Sequence, residues 1–439
     1  MLRTPSVDLA TRRRRRSLFL LFLLPGLSIS SWVTRTPDIR DALGASTGQM
    51  GLILFGLSVG SMLGILSSGA LVARYGTRPV VGLGTVLVVV SLVTIGMGTL
   101  SGAAPLVTLG LALFGAGMGS GEVALNVEGA EIERITGRAV LPALHGFFSL
   151  GTAIGATLGI VCTATRLPVQ WHLLAVASVA AVILIGAFGG IPAGVGRREA
   201  AGPGTADGGA GAASPVWRDT RLLLIGGVVL AMALAEGAAN DWLPLLMVDG
   251  HGLDASLGSV MYAGFAAAMA TGRFSGTVLV NRFGRATVMR ASAVSGAAGL
   301  ALVIFAGNPV LAGCAVLLWG LGASLGFPLA LSAAGESGPN PAARVSLASI
   351  IGYTAFLVGP PGLGFLGEHY GLRGAMVVVL VCVIGAIFLA PAVGSRPGPR
   401  DGERAGGDGA AAVPQAAPEA PTQAAPEAGE AAGGRRPAP

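Results

Sequence analysis

The chain has 439 residues, of which 52% are hydrophobic and only 11% charged, and its mean hydropathy is +0.73. A soluble globular domain carries roughly 25% charged residues, which excludes that class. The net charge of +6 does not indicate a nucleic-acid partner, because the basic residues stand in short clusters between apolar runs and not with aromatics on one domain.

A basic N-terminus, residues 1–16, precedes the first apolar run at 17–34. Further runs at 47–72, 79–99, 105–128, 140–163 and 171–192 complete a first group of six, the N-terminal half 17–192. The segment 193–218 contains "GVGRREAAGPGTADGGAGAASP", which reads as a polar Gly/Ala/Pro linker. Runs at 219–246, 256–280, 286–306, 310–334, 346–368 and 373–393 make a second half, 219–393. Residues 394–439 are Pro, Ala, Gly and Glu without periodicity, and disorder is expected there. Each run is long enough to cross a ~30 Å hydrocarbon layer. The expected fold class is all-α integral membrane, with twelve transmembrane helices in two six-helix halves.

All 28 basic residues are arginine, which together with the Ala and Gly excess fits a GC-rich bacterial genome. Only Arg35, Arg40, Arg166 and Arg373 fall on one side of the twelve-run topology. Arginine is retained on the cytoplasmic side, so both termini are expected in the cytoplasm of a bacterial cell with the chain in its cytoplasmic membrane. Cys162, Cys314 and Cys382 lie inside apolar runs without metal or disulfide spacing, so no metal and no cofactor is expected.

"RRRRRSLFLLFLLPGLSIS" has the form of a cleaved signal. Cleavage would remove the first run and unbalance an internal repeat, so the run is read as retained. A shift of 210 lays "SWVTRTPDIRDALGAS" on "DWLPLLMVDGHGLDAS", pairing Trp32 with Trp242 and Ser46 with Ser256. The loop "GALVARYGTRP" is echoed by "GTVLVNRFGRA".

These two six-run halves, with Gly69, Arg74, Gly76 and Arg78 in the loop after the second run, resemble the major facilitator superfamily of secondary transporters. Ala73 stands where that family usually has Asp, and Asn281 takes the corresponding place in the second loop. The resemblance implies a gating role for those four residues and for Arg282 and Gly284 in the second loop. "GEVALNVEGAEIERITGR" and "EGAANDWLPL" are similar to a bacterial branch that includes the membrane protein of the rhizobial Mos cluster. The resemblance implies a carrier working by alternating access on a small molecule, as a monomer.

Three motifs have plainer readings. "GLSVG" at 56–60 matches a nucleophile elbow but lies mid-run, where Gly56, Gly60 and Gly64 share one helix face for close packing. "GLGFLG" at 362–367 matches a dinucleotide fingerprint without the strand that fingerprint needs. Gly151, Gly155 and Gly159 resemble the drug–proton antiporter motif, but Ala156 replaces its proline.

Chemistry is expected where ionisable groups sit at membrane depth, since these are costly unless they face a cavity or a partner. Glu122 with Asn126, and His145 with Ser149, form two polar stripes at one-turn spacing, and a meeting of Glu122 with His145 is expected. Glu236 and Asn240 form a third. These six are the expected substrate or proton site, because the acids do not recur in both halves: Gly26 and Phe327 hold the matching places. Arg273 is read as a latch, and Glu128, Glu131, Glu133 and Arg134 as a solvated loop cluster. The family resemblance brings runs one and seven together on the outer side; there Arg35 and Asp241 are expected to pair as a gate, flanked by Trp32 and Trp242 as interfacial anchors. The expected function is proton-coupled secondary transport. A drug or metabolite exporter of the same fold is the alternative, and a transporter-like receptor the alternative of another class. No catalytic constellation is seen, since the four histidines lack ligand spacing.

Overall fold

A computed structural model describes residues 9–136, 140–197 and 216–394. The extreme N-terminus, most of the linker, Arg138 and the tail from residue 395 lie outside the described residues. Among those described there is no strand. The helices are α1 (Leu9–Val33), α2 (Thr36–Leu43), α3 (Thr47–Tyr75), α4 (Thr77–Leu100), α5 (Ala104–Thr136), α6 (Leu141–Ala164) and α7 (Val169–Phe188). They continue as α8 (Thr220–His251), α9 (Ala255–Phe283), α10 (Arg285–Phe305), α11 (Pro309–Ala323), α12 (Gly326–Glu336) and α13 (Pro341–Leu389).

Among the described residues, ten helical stretches are long and apolar enough to cross a membrane. The longest, within α13, is two crossings, because Gly371 at φ 72° and ψ 158° breaks it into arms 341–370 and 372–389. Helix α9, 29 residues long, supplies the remaining one; its glycines, Ser, Thr and Arg273 dilute its hydropathy. Helices α11 and α12 share one crossing. The twelve crossings expected from the apolar runs are thus present, and α2 is a short extra helix after the first.

Local chemistry explains where the helices begin. Ser46 and Gln49 form a capping box on α3, and Asp254 caps α9 through the amide of Leu257. The helices before them stop at Gly44 and Gly252, both left-handed at φ 59° and 69°. These paired stops and caps align Ser46 with Asp254, so the repeat register at this point is two residues short of the Ser46–Ser256 match.

Small residues set the packing. A Cβ on Gly56, Gly60 or Gly64 would collide with carbonyls of Thr108, Ala112 or Ala116, so α3 lies backbone to backbone on α5. Gly151 and Gly155 seat α6 on α1 in the same way, and Gly159 meets the Thr34 side chain just beyond α1. Helices α1 and α3 to α7 pack among themselves, as do α8 to α13; the two groups join chiefly through α3 with α13 and α6 with α9. Large apolar side chains such as Val182, Ile185 and Phe388 remain exposed on the outer helix faces, as contact with lipid requires.

One end of the bundle, where α1, α4, α6, α8 and α10 begin, holds the basic N-terminal run; it is called here the basic end, and the other the far end. Two expectations change on packing. Glu128 is not in a solvated cluster: it is fully buried, accepts from Arg14 Nε and Nη2 at 2.9 and 2.5 Å, and accepts from the Thr77 hydroxyl. A carboxylate enclosed by three helices needs such partners to remain charged. Of that cluster, Glu131 and Arg134 do pair on the surface at 2.6 Å, and Glu133 accepts the amides of Val140 and Leu141 at the start of α6. Trp32 and Trp242 are not interfacial anchors either, being 1% and 0% exposed, Trp32 edge-on to Phe114.

A charged triad between the halves

Glu236 lies halfway along α8, ~24 Å of helical rise from its start. Its carboxylate accepts from Arg273 Nη2 of α9 at 2.8 Å. Arg273 also donates from Nε to the carbonyl of Ser324 at 3.4 Å. That carbonyl stands at the break between α11 and α12, where Ser324 keeps helical dihedrals and Leu325 departs to φ −106° and ψ −12°. A broken helix at membrane depth presents main-chain acceptors that an intact helix would use internally. The sequence carries a signal for the break that was passed over: Pro328, four residues on, has no N–H to give the Ser324 carbonyl.

Glu122 of α5 enters from the other half, ~21 Å of rise from the basic end of its helix. It is exposed, and the charges of both Arg273 and Glu236 reach it. Tyr353 of α13 feels the Glu122 charge, and its ring is 6.4 Å from that of Phe327, which also neighbours Phe356. Arg273, expected as a latch, is ion-paired with Glu236. Tyr353 and Ser324 were missed; a tyrosine inside an apolar run was the available signal for the first.

The other expected residues are placed as follows. Asn126 is half-buried one turn below Glu122. His145 is exposed and packs edge-on to Phe22 at 5.4 Å, while Ser149 donates to the His145 carbonyl at 3.2 Å. The expected meeting of Glu122 with His145 is not made. Helices α5 and α6 touch at Gly129 with Leu141 and Leu144, near their connection, and then take different partners, α3 and α4 for α5, α1 and α9 for α6. A short connection makes two helix ends adjacent and leaves the rest of each helix free to pack elsewhere. Asn240 accepts from the Tyr262 hydroxyl at 3.4 Å.

The expected Arg35–Asp241 gate is not formed. Arg35 donates from Nε to Asp38 at 2.7 Å and from Nη2 to the Leu167 carbonyl at 2.7 Å. Asp38 is one helical turn away, so pairing with it orders less chain than reaching across to α8. Asp241 is 7% exposed and has no ion-pair partner among the described residues. Other groups tie the halves together at the far end. Arg40 of α2 pairs with Asp249 of α8. Glu368 of α13 accepts the Gly48 amide at 2.8 Å, and Ser259 donates to the Thr34 carbonyl at 2.8 Å. Gly51 and Gly364 bring α3 and α13 into backbone contact there.

At the basic end, Gly76 and Gly284 adopt φ 84° and 77°, the turn conformation their loops require. Arg74 and Arg282 stack over their neighbours Tyr75 and Phe283 at 5.3 Å, and Arg78 lies over Phe188 at 4.7 Å. Gly69 has open space around it. Among the described residues no hydrogen bond or ion pair joins the halves at this end.

Comparison with known proteins agrees with this fold. The model of the Major Facilitator Superfamily matches residues 17–346. An uncharacterized MFS-type transporter of Yersinia pestis is 29% identical over 378 residues, 85% of this chain and 94% of that protein. Membrane protein MosC of Rhizobium meliloti is 25% identical over 379 residues, 85% of this chain and 88% of its own. The crystal structure of a D-xylose-proton symporter superposes with a TM-score of 0.66 at 16% identity, covering 88% of this chain and 97% of that one.

Proposed function

Because the chain belongs to the Major Facilitator Superfamily, we propose that it is a proton-coupled secondary transporter carrying a small polar solute by alternating access between its two halves. The observation that supports this reading most is Arg273. It pairs with Glu236 in its own half and stands within electrostatic reach of Glu122 in the other. Two carboxylates thus compete for one guanidinium. A proton or a polar substrate on either acid changes what Arg273 holds, and with it the attraction between the halves. A ligand shifts a two-state balance only through such a difference in affinity. Asn126, His145, Ser149 and Asn240 are read as polar positions flanking the triad, above and below it.

The basic end is read as cytoplasmic because arginine is retained there. The polar ties between halves lie at the far end and, through Ser58 donating to the Phe356 carbonyl at 2.6 Å, near mid-depth, with none at the basic end among the described residues. The described state thus faces the cytoplasm, and the loops of Gly69 to Arg78 and Arg282 to Gly284 are latches in their released form. The working unit is a monomer in the cytoplasmic membrane, its halves 17–192 and 219–393 moving as bodies, with both termini and the linker on the cytoplasmic side.

The test is reconstitution into liposomes with an internal pH dye and a panel of sugars, nucleosides and amino acids. Glu122→Gln and Glu236→Gln should each abolish uphill uptake yet leave counterflow exchange, because the neutral amide imitates the protonated acid. If both variants still concentrate solute, the coupling assignment is wrong. If the wild type moves no solute and no proton, the transport reading itself falls.

A further inference from the structure

We propose that the far end of the first half carries a binding site for a phosphate-type oxyanion, held by Arg35, Arg166, Thr163 and the amino terminus of α7. A cavity of about 360 Å³ lies there, bordered by α2, α4 and the α6–α7 turn. It has no part in the triad between the halves.

Four features converge on it. Arg35 is 2% exposed, and its Nη1 has no hydrogen-bond partner among the described residues, although Nε and Nη2 are both bonded. A buried charged donor left unpaired is rare in folded proteins and calls for a partner. The Thr163 hydroxyl, also lining the cavity, is buried and unpartnered as well. Arg166 lines it from the α6–α7 turn and has no ion-pair partner among the described residues. It adopts φ 56° at the place after α6 where glycine is usual, with the Leu167 amide closing the turn on Cys162. Finally, α7, 20 residues long, begins at Val169 with no side-chain cap, and Pro168, Val169 and Gln170 border the cavity. The first amides of a helix lack partners within it and favour an anion in front of them.

The charges set the sign of the ligand. Two guanidiniums face the cavity against one carboxylate, Asp38, whose Oδ2 is already engaged by Arg35. A compact group with several acceptor oxygens fits this set: the Arg166 fork and the α7 amides border the cavity directly, while Arg35 Nη1 and the Thr163 hydroxyl, closed off from it as the side chains stand, become partners on a small side-chain shift. Leu100, 57% exposed, borders the cavity on the surface, and Trp171, 58% exposed, follows the lining residue Gln170. A phospholipid headgroup at that level and free inorganic phosphate present the same chemistry.

The experiment uses the full chain purified in an uncharged detergent and stripped of lipid. Inorganic phosphate is titrated in one arm against chloride at constant ionic strength; phosphatidylglycerol and phosphatidylcholine are added in the other. The unfolding midpoint and native mass spectrometry are read. A saturable rise with phosphate assigns the site to a free anion, and a rise with lipid alone assigns it to a headgroup. Arg166→Gln and Thr163→Val should each weaken the response roughly tenfold, the loss expected for a charge-assisted contact. Arg12→Gln, at the other end of the bundle, should leave it unchanged. Arg166→Gly separates folding from binding, since it relieves the left-handed backbone while removing the cation: its unliganded midpoint should rise and its anion response should fall. A wild type indifferent to both probes, or variants that respond as it does, would overturn the proposal.

Discussion

At the far end of the bundle, Arg40 with Asp249, Glu368 on the Gly48 amide and the Gly51–Gly364 contact join one half to the other. At the basic end, every ion pair among the described residues closes within a half: Arg14 with Glu128, Arg134 with Glu131, Arg285 with Glu336, Arg344 with Asp219. The ties also differ in kind. Those between halves are few, and the one ion pair among them, Arg40 with Asp249, sits on partly exposed groups, so it contributes little and can be exchanged with water. Arg14 with Glu128 is deeply buried, and parting its members would leave an uncompensated charge. Such a molecule deforms at its seam before it deforms within a half, as rigid-body motion of two halves requires.

The largest expected effect tests the buried member of this comparison. Arg14→Ala strands Glu128 and should lower stability by about 3–5 kcal/mol. Arg14→Met combined with Glu128→Leu should recover most of that, because no charge is then left without a partner. Thermal unfolding of the three proteins reads the result, and an unchanged midpoint in Arg14→Ala would show that the basic end is not held as described.

The seam comes next. A Cβ at Gly51 would lie 2.8 Å from the Pro360 carbonyl and 3.0 Å from the Gly364 Cα, and main chain cannot swing aside. Gly51→Leu should therefore keep the far end from closing while leaving each half folded. Thiol labelling of a cysteine placed at Asn240 should accelerate by an order of magnitude or so, corresponding to ~1.4 kcal/mol of shifted balance. Unaltered labelling would mean that α3 and α13 do not form the gate.

The rim pair is a finer probe. Arg40→Ala and Asp249→Ala should each shift the same labelling rate only a few-fold, since a partly exposed pair is worth roughly 1 kcal/mol or less. The charge swap should restore it, and high salt should erase the difference between wild type and variants. Additive single effects would show that the two do not act as a pair.

The smallest effect is a pH dependence at the basic end. The Arg344 guanidinium beside Asp219 holds its carboxyl below the usual value, with the Leu222 and Arg221 amides adding to this. A depressed folded value contributes stability that is complete above the ordinary aspartate pKa and disappears as pH falls through the lowered one. The unfolding midpoint should thus be flat near neutrality and decline in acid, and Arg344→Gln should reduce the part of that decline due to Asp219.

Much of the fold was legible in the chain. Crossings were countable because each depends only on the length and apolarity of its own run, and Gly56, Gly60 and Gly64 announced a close-packed face by spacing alone. Glu122 and Glu236 stood out as acids that apolar runs do not tolerate without a reason. The partner of Glu236 did not: Arg273 read as a latch, because nothing local shows that α8 and α9 turn Glu236 toward it. Arg35 erred in the opposite direction. Its local partner Asp38 was visible three residues away, yet pairing across the halves was expected.

Glu128 makes the division plain. By itself the sequence determined that the chain crosses a membrane twelve times, that arginine collects at one end and that a few acids stand at costly depths, since these follow from transfer energies and lengths of single segments. Which cation each acid meets was decided only in the tertiary structure. Arg14 reaches Glu128 across 114 residues and Arg40 reaches Asp249 across 209. Such a contact depends on how each helix is rotated and which helices lie beside it. Those are set by the packing of small-residue faces over the whole bundle, and no short stretch of sequence contains them.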